Sequence, residues 1–224
     1  EDLPKSILYY RQQLQWLGGI GIVVIAVSIL PMIGVGGMQI YKAETPGPIK
    51  DTKLTPRIAE TANALFKIYV FLTVVCAIAY WVAGMSWFDA LSHSFSTISI
   101  GGFSTYDESL GHFDNNAVLT IASIFMVVSG LNFALHYTAW HARSIKSYIS
   151  DPEARLFVLV ILFGILVTTY FLYTTASMPN EEILFVGIFQ LISILTTTGF
   201  TTTEFHLWPS FLPFFLILLS FFGA

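Results

Sequence analysis

Apolar residues in this chain come in long unbroken runs, not in the spaced stripes of a helix with one wet face. A helix rises 1.5 Å per residue, so about 20 apolar residues are needed to cross a hydrocarbon layer about 30 Å thick. Four segments reach or approach that length, at residues 16–34, 63–85, 116–141 and 156–175. Pro31 predicts a bend in the first. Two further runs, at residues 87–98 and 182–195, reach only about 18 and about 21 Å. Such lengths predict re-entrant or interfacial helices. Each short run leads straight into a hydroxyl-rich loop centred on glycine. The first loop is Ser99-Ile100-Gly101-Gly102-Phe103-Ser104-Thr105, and the second is Thr196-Thr197-Thr198-Gly199-Phe200-Thr201-Thr202-Thr203.

Composition turns these runs into a statement about solvent. The 224 residues are 55% hydrophobic and 11% charged, where soluble domains carry about a quarter charged residues. No packing in water hides that much apolar surface, so the chain is expected to be an all-α integral membrane protein in a lipid bilayer. A net charge of −4 without a basic patch excludes nucleic acid as a partner. Cys76, the single cysteine, lies within an apolar run and reads as a packing residue. His136 and His141 are five apart, off the i, i+4 spacing of a helical metal pair. With no nucleotide loop, serine elbow or zinc motif, the chain is not expected to be an enzyme and needs no covalent cofactor.

Charge placement sets the topology. Eight of the ten Lys and Arg fall in two clusters, one at Lys42, Lys50, Lys53, Arg57 and Lys67, the other at Arg143, Lys146 and Arg155. Basic loops stay on the cytoplasmic side, so an even number of crossings separates the clusters. Residues 63–85 and 116–141 supply two. The short run at 87–98 must therefore enter and leave on one side, with Lys5 and Arg11 left outside as an exception. Asp107, Glu108, Asp114, Glu181, Glu182 and Glu204 gather on the outer side, where acidic groups concentrate cations.

A shift of 97 residues lays Gly102-Phe103-Ser104-Thr105 on Gly199-Phe200-Thr201-Thr202, Ser96 on Ser193, Phe88 on Phe185 and Asp107 on Glu204. The repeated unit is helix, re-entrant pore helix, filter loop, helix, as in a potassium-channel-like transporter. Residues 1–40 then end a first pore unit, 41–147 form a second with its filter at 99–105, and 148–224 form a truncated third with its filter at 196–202. The start at Glu1 and the short apolar run at 211–224 predict a fragment of a longer protein.

A dehydrated potassium ion needs several oxygen ligands of moderate strength, which backbone carbonyls supply. Glycine reaches the required dihedrals without a Cβ clash, the role expected of Gly101, Gly102 and Gly199. Carbonyls of Ile100, Gly101, Thr198 and Gly199 are the expected potassium ligands, flanked by Ser99, Phe103, Thr197 and Phe200. The negative C-terminal ends of both short helices would face the ion. Asp89 reads as a cap or dipole partner at its helix start, His93 as hydrogen-bonded to neighbouring backbone, and Asn132 as an interhelical hydrogen-bonding group. Gly18, Gly19 and Gly21 read as close-packing positions. The alternatives are a less selective sodium/potassium pathway of the same architecture, and a non-conducting scaffold.

The two filter loops, with Trp16-Leu17-Gly18-Gly19-Ile20-Gly21 and Lys42-Ala43-Glu44-Thr45-Pro46-Gly47-Pro48, resemble the Trk-type potassium uptake family, TrkH, within the Trk/Ktr/HKT superfamily. The resemblance covers essentially the whole chain. It implies four pseudo-symmetric units around one pore, each with a single filter glycine. By position, Gly199 is that glycine in the third unit, and Gly101-Gly102 occupies the second unit's filter. It further implies passage of K+ and Rb+ by a symport or channel-like route, a homodimer in the bacterial inner membrane, and a TrkA-like cytoplasmic nucleotide-binding regulatory subunit. The first filter, the gating loop and the fourth unit lie beyond the part of the pattern found here.

Overall fold

The computed structural model describes residues 3–29, 58–175, 180–209 and 211–223. Among them the regular structure is wholly helical, so the all-α expectation holds. In chain order the helices are α1 (Lys5–Ile29), α2 (Ile58–Val82), α3 (Trp87–Ile98), α4 (Asn116–Ser129), α5 (Phe133–Ala142), α6 (Lys146–Ser150), α7 (Pro152–Thr175), α8 (Asn180–Leu195) and α9 (Phe211–Ser220). The bend at Pro31, the stretch at 42–48, and Lys50, Lys53 and Arg57 lie outside the described residues.

The helices expose large apolar side chains and bury polar ones beside an apolar core. On α7 the buried positions are Ala154, Phe157, Ile161, Gly164, Thr168 and Leu172, a stripe spaced three or four apart. Its other faces expose Leu159, Phe163 and Leu166. Polar groups meanwhile gather in the interior, Ser92, His93, Ser94, Ser96 and Thr97 on α3 and Gln190 and Ser193 on α8. An apolar exterior around hydrogen-bonding side chains is what lipid selects. Residues Ala62–Val82 within α2 and all of α7 are long and apolar enough to cross a membrane.

Each short helix is wedged between two longer neighbours. Helix α3 packs against α2 and α1, and α8 packs against α7 and α4. Local chemistry sets where they begin. Ser86 caps α3, its hydroxyl oxygen accepting from the Asp89 N–H at 3.1 Å and its O–H donating to Asp89 Oδ2 at 2.6 Å. Asp151 caps α7 by accepting from the Ala154 N–H at 2.7 Å, with Pro152 in the first turn, where its missing N–H costs nothing. Tyr80, fully buried, joins α2 to α3 through its hydroxyl and Thr97 Oγ1, 2.8 Å apart.

One spanning segment departs from expectation. The run at 116–141 is not a single helix but breaks between α4 and α5 at residues 130–132. Hydropathy does not mark the break, because its cause is tertiary. A Cβ on Gly130 would stand 3.1 Å from Phe157 Cζ and 3.5 Å from Thr196 Cγ2, so α4 ends where it meets α7 and the tip of α8. The Val128 carbonyl, cut off from the regular ladder, accepts instead from the Leu131 N–H at 3.2 Å and from His136 Nε2 at 2.9 Å. A carbonyl only accepts, so Nε2 carries the proton and Nδ1 accepts from the Tyr148 hydroxyl at 2.8 Å. His136 therefore spans the break and ties α5 to α6.

Replacing His136 by Ala removes two hydrogen bonds, leaving the Val128 carbonyl the Leu131 N–H alone, and is expected to cost about 1–3 kcal/mol. Tyr148→Phe removes one partly exposed hydroxyl and should cost about 1 kcal/mol or less. The thermal unfolding midpoint in detergent should fall in that order; equal midpoints would show that the imidazole does not hold the break.

Candidate ion filter

The two loops begin at the residue after each short helix ends, α3 at Ile98 and α8 at Leu195. Their first N–H groups fold back onto the last helical turn. In the first loop Ser99 N–H donates to Phe95 O, Ile100 to Thr97 O and Gly101 to Ser96 O, at 2.9–3.2 Å. In the second, Thr196 donates to Ile192 O, Thr197 to Ile194 O and Gly199 to Ser193 O, at 2.9–3.1 Å. The orphan carbonyls of each helix end are met by the loop it launches.

Backbone handedness repeats with the sequence. Ile100 has φ 53° and Gly102 φ 68°; 97 residues later Thr197 has φ 60° and Gly199 φ 86°. Ile100 and Thr197 are β-branched, the residue class for which left-handed φ is least favourable, at about 1–3 kcal/mol each. A strand of alternating handedness gathers its N–H groups on one side.

Glycine does two different jobs here, of which sequence reasoning expected one. Gly102 and Gly199 hold left-handed φ, whereas Gly101 does not. At Gly101 the constraint is space, because a Cβ would collide with the side chain of Gln15 on α1. Gln15 Nε2 donates to the Gly101 carbonyl at 2.7 Å, so this expected ion ligand already has a partner on the scaffold side. Gly102 meets the other loop, where a Cβ would collide with the Thr198 carbonyl. Beside Gly199 the corresponding space is open.

The second loop is stitched to the segment that follows the first. Thr201 N–H donates to Ser109 Oγ at 3.2 Å, and Gly111 N–H donates to Thr201 O at 3.2 Å. Phe200 is fully buried, its ring 6.1 Å from that of His93. His93 Nδ1 donates to the Asp89 carbonyl at 2.8 Å, and Nε2 accepts from the Ser104 hydroxyl at 2.8 Å. Ser104 Oγ in turn accepts from the Tyr106 N–H at 3.1 Å. Asp89 sits in the first turn of α3 and also accepts from Thr105 Oγ1 at 2.9 Å and Tyr106 O–H at 3.2 Å. A cavity of about 270 Å³ opens outside the loops, lined by Arg11, Gly102, Ser104, Asp107, Gly199 and Thr201.

Three residues on α1 were not singled out from sequence. Arg11 donates to the Ser104 carbonyl and lies over the Phe103 ring, 4.9 Å from its centroid. Ser96 Oγ donates to Gln12 Oε1, with Gln15 Oε1 3.2 Å away. The available signal was the i, i+1, i+4 spacing of polar side chains at the start of an apolar helix, which places all three on one face.

The family model described as TrkH, cation transport protein, matches residues 1–224. The Trk system potassium uptake protein TrkH of Halomonas elongata is 54% identical over 222 residues, covering 99% of this chain and 46% of that protein. The protein of the same name in Escherichia coli K12 is 50% identical over 229 residues, covering 100% of this chain and 47% of its own length. The crystal structure of the potassium transporter TrkH from Vibrio parahaemolyticus superposes with a TM-score of 0.83 at 48% identity, over 98% of this chain and 44% of that one. The chain spans about half the length of these relatives. A match along every residue, with the fold shared as well, is decisive: this chain belongs to the TrkH family of cation transport proteins.

Proposed function

We propose that this chain forms two adjacent walls of a potassium-selective pore, residues 41–147 and 148–224 being its second and third units. The observation that carries the reading is the recurrence of left-handed backbone at residues 100 and 102 and again at 197 and 199. Two loops of like handedness, each anchored by its N–H groups, leave carbonyls to face a common axis. Carbonyls of Ile100, Thr198 and Gly199 replace the ion's water; that of Gly101, already accepting from Gln15, contributes less. Ser99, Phe103, Thr197 and Phe200 hold the ligand-bearing residues in place.

The names of the relatives supply the ion: those proteins are potassium uptake proteins. The working form is a multi-pass protein of the bacterial inner membrane, a homodimer, regulated by a TrkA-like nucleotide-binding subunit on its basic cytoplasmic loops. Ion flow follows the electrochemical gradient, with Rb+ accepted as well as K+. Two walls enclose no pore, so this chain reconstituted alone is expected to show no selective rubidium uptake into proteoliposomes; selective uptake would refute the need for further walls.

Gly199 is the position at which to test selectivity, because the space beside it is open and a side chain there meets no steric bar. At Gly102 a side chain would drive the two loops apart and disturb far more than one ligand. In the full-length protein carrying this chain, wild type should take up rubidium far faster than sodium. Gly199→Ser, strained at φ 86°, should lose that preference. Equal preference in both proteins would assign the loop a structural role and favour the scaffold; appreciable flux of both ions in wild type would favour the less selective pathway.

A further inference from the structure

The two loops are alike in backbone and unlike in what braces them. In the second, the bracing comes from the loop and its own helix. The Thr198 hydroxyl, buried, pairs with Thr196 Oγ1 at 2.7 Å, and Ser193 Oγ donates to the Phe200 carbonyl at 2.7 Å. The 97-residue shift carries Thr198 onto Gly101 and Ser193 onto Ser96. At Gly101 there is no side chain, and the volume one would fill is taken by the Gln15 amide arriving from α1. Ser96 Oγ turns to Gln12 and Gln15 and not to the Phe103 carbonyl, and Phe103 is 44% exposed where Phe200 is buried.

We infer that Gln15 is a positioning residue for the first filter loop, standing in for the side chain that Gly101 lacks. The inference rests on the filter reading above. Its amide lies against two groups that a backbone bond already links. Nε2 holds the Gly101 carbonyl, Oε1 lies 3.2 Å from Ser96 Oγ, and the Ser96 carbonyl accepts from the Gly101 N–H at 2.9 Å. The peptide that follows Gly101 is thereby fixed by Gln15, and the one before it, which carries the Ile100 carbonyl, by the Ser96 carbonyl. Gln12, fully buried beside Gln15, supports the same serine.

Glycine at 101 and glutamine at 15 are then one unit, equivalent to threonine at 198. Three variants of the full-length protein test this: Gln15→Met, which keeps length and loses the donor, Gly101→Thr, and Gln15→Ala combined with Gly101→Thr. Rubidium and sodium uptake into proteoliposomes are measured beside detergent unfolding midpoints. Gln15→Met should fold and lower the rubidium-to-sodium ratio about fivefold, the loss of one positioning hydrogen bond. Gly101→Thr should lower both ratio and midpoint because its side chain meets Gln15. The double variant should recover the ratio to within about twofold of wild type. An unchanged ratio in Gln15→Met, or a double variant no better than Gly101→Thr, overturns the inference while wild type still discriminates. A wild type that passes both ions equally overturns the filter reading itself, and the inference falls with it.

Discussion

Everything at the two glycine loops depends on returning loop N–H groups to the helix that has just ended. A helix leaves its last carbonyls unpaired, and in lipid no water satisfies them. Here the Phe95, Ser96 and Thr97 carbonyls, and their counterparts Ile192, Ser193 and Ile194, are met by the very next residues. Turning the chain that sharply forces left-handed φ on Ile100 and Thr197, at about 1–3 kcal/mol each. The strain persists because the alternative is unpaired backbone at membrane depth, which costs more. The short helix and the strained loop are therefore one object. Neither is stable in lipid without the other.

That object needs a wall behind it, and the two copies find theirs differently. Helix α8 rests on α4 at Gly130, and α3 rests on α1 at Gly19, where a Cβ would stand 3.0 Å from Ser99 Cβ. The 97-residue shift carries Ser99 onto Thr196, the residue that faces Gly130, so the small-residue contact is shared. Farther along the loop the copies diverge, threonine hydroxyls on one side and the α1 polar face on the other. Pseudo-symmetry is kept where backbone approach demands it and relaxed where side chains can be exchanged.

Much of this was legible in the sequence. Length alone marked α3, found at the expected 87–98, and α8, found two residues longer at its start than expected. Inventories of hydroxyls and glycines marked the loops. The broken helix was not legible, since Gly130 and Asn132 sit in a run that stays apolar overall and the break answers to Phe157, Thr196 and His136, all distant or ambiguous in sequence. Nor could the sequence distinguish a glycine kept for its dihedral from one kept for space. Gly102 and Gly101 are neighbours that read alike, and only the folded backbone, with Gln15 beside one and the Thr198 carbonyl beside the other, separates them.

The same logic explains why polar side chains are buried beside the apolar core. An irregular loop cannot be held in one geometry by apolar packing, which has no direction; it needs donors aimed at specific oxygens. The first loop is gripped along its length by such donors. Gln15 reaches the Gly101 carbonyl, Arg11 the Ser104 carbonyl, and Ser104 is anchored in turn to His93. At the outer end Asp89 collects Ser86, Thr105 and Tyr106, so one carboxylate fixes both the start of α3 and the residues where the loop leaves. Each of these groups would be costly to bury alone and becomes affordable only because the network is nearly complete. The lipid that excludes water from the outside makes every one of these bonds stronger on the inside. A loop without regular structure thus keeps its geometry through hydrogen bonds that would be marginal in water.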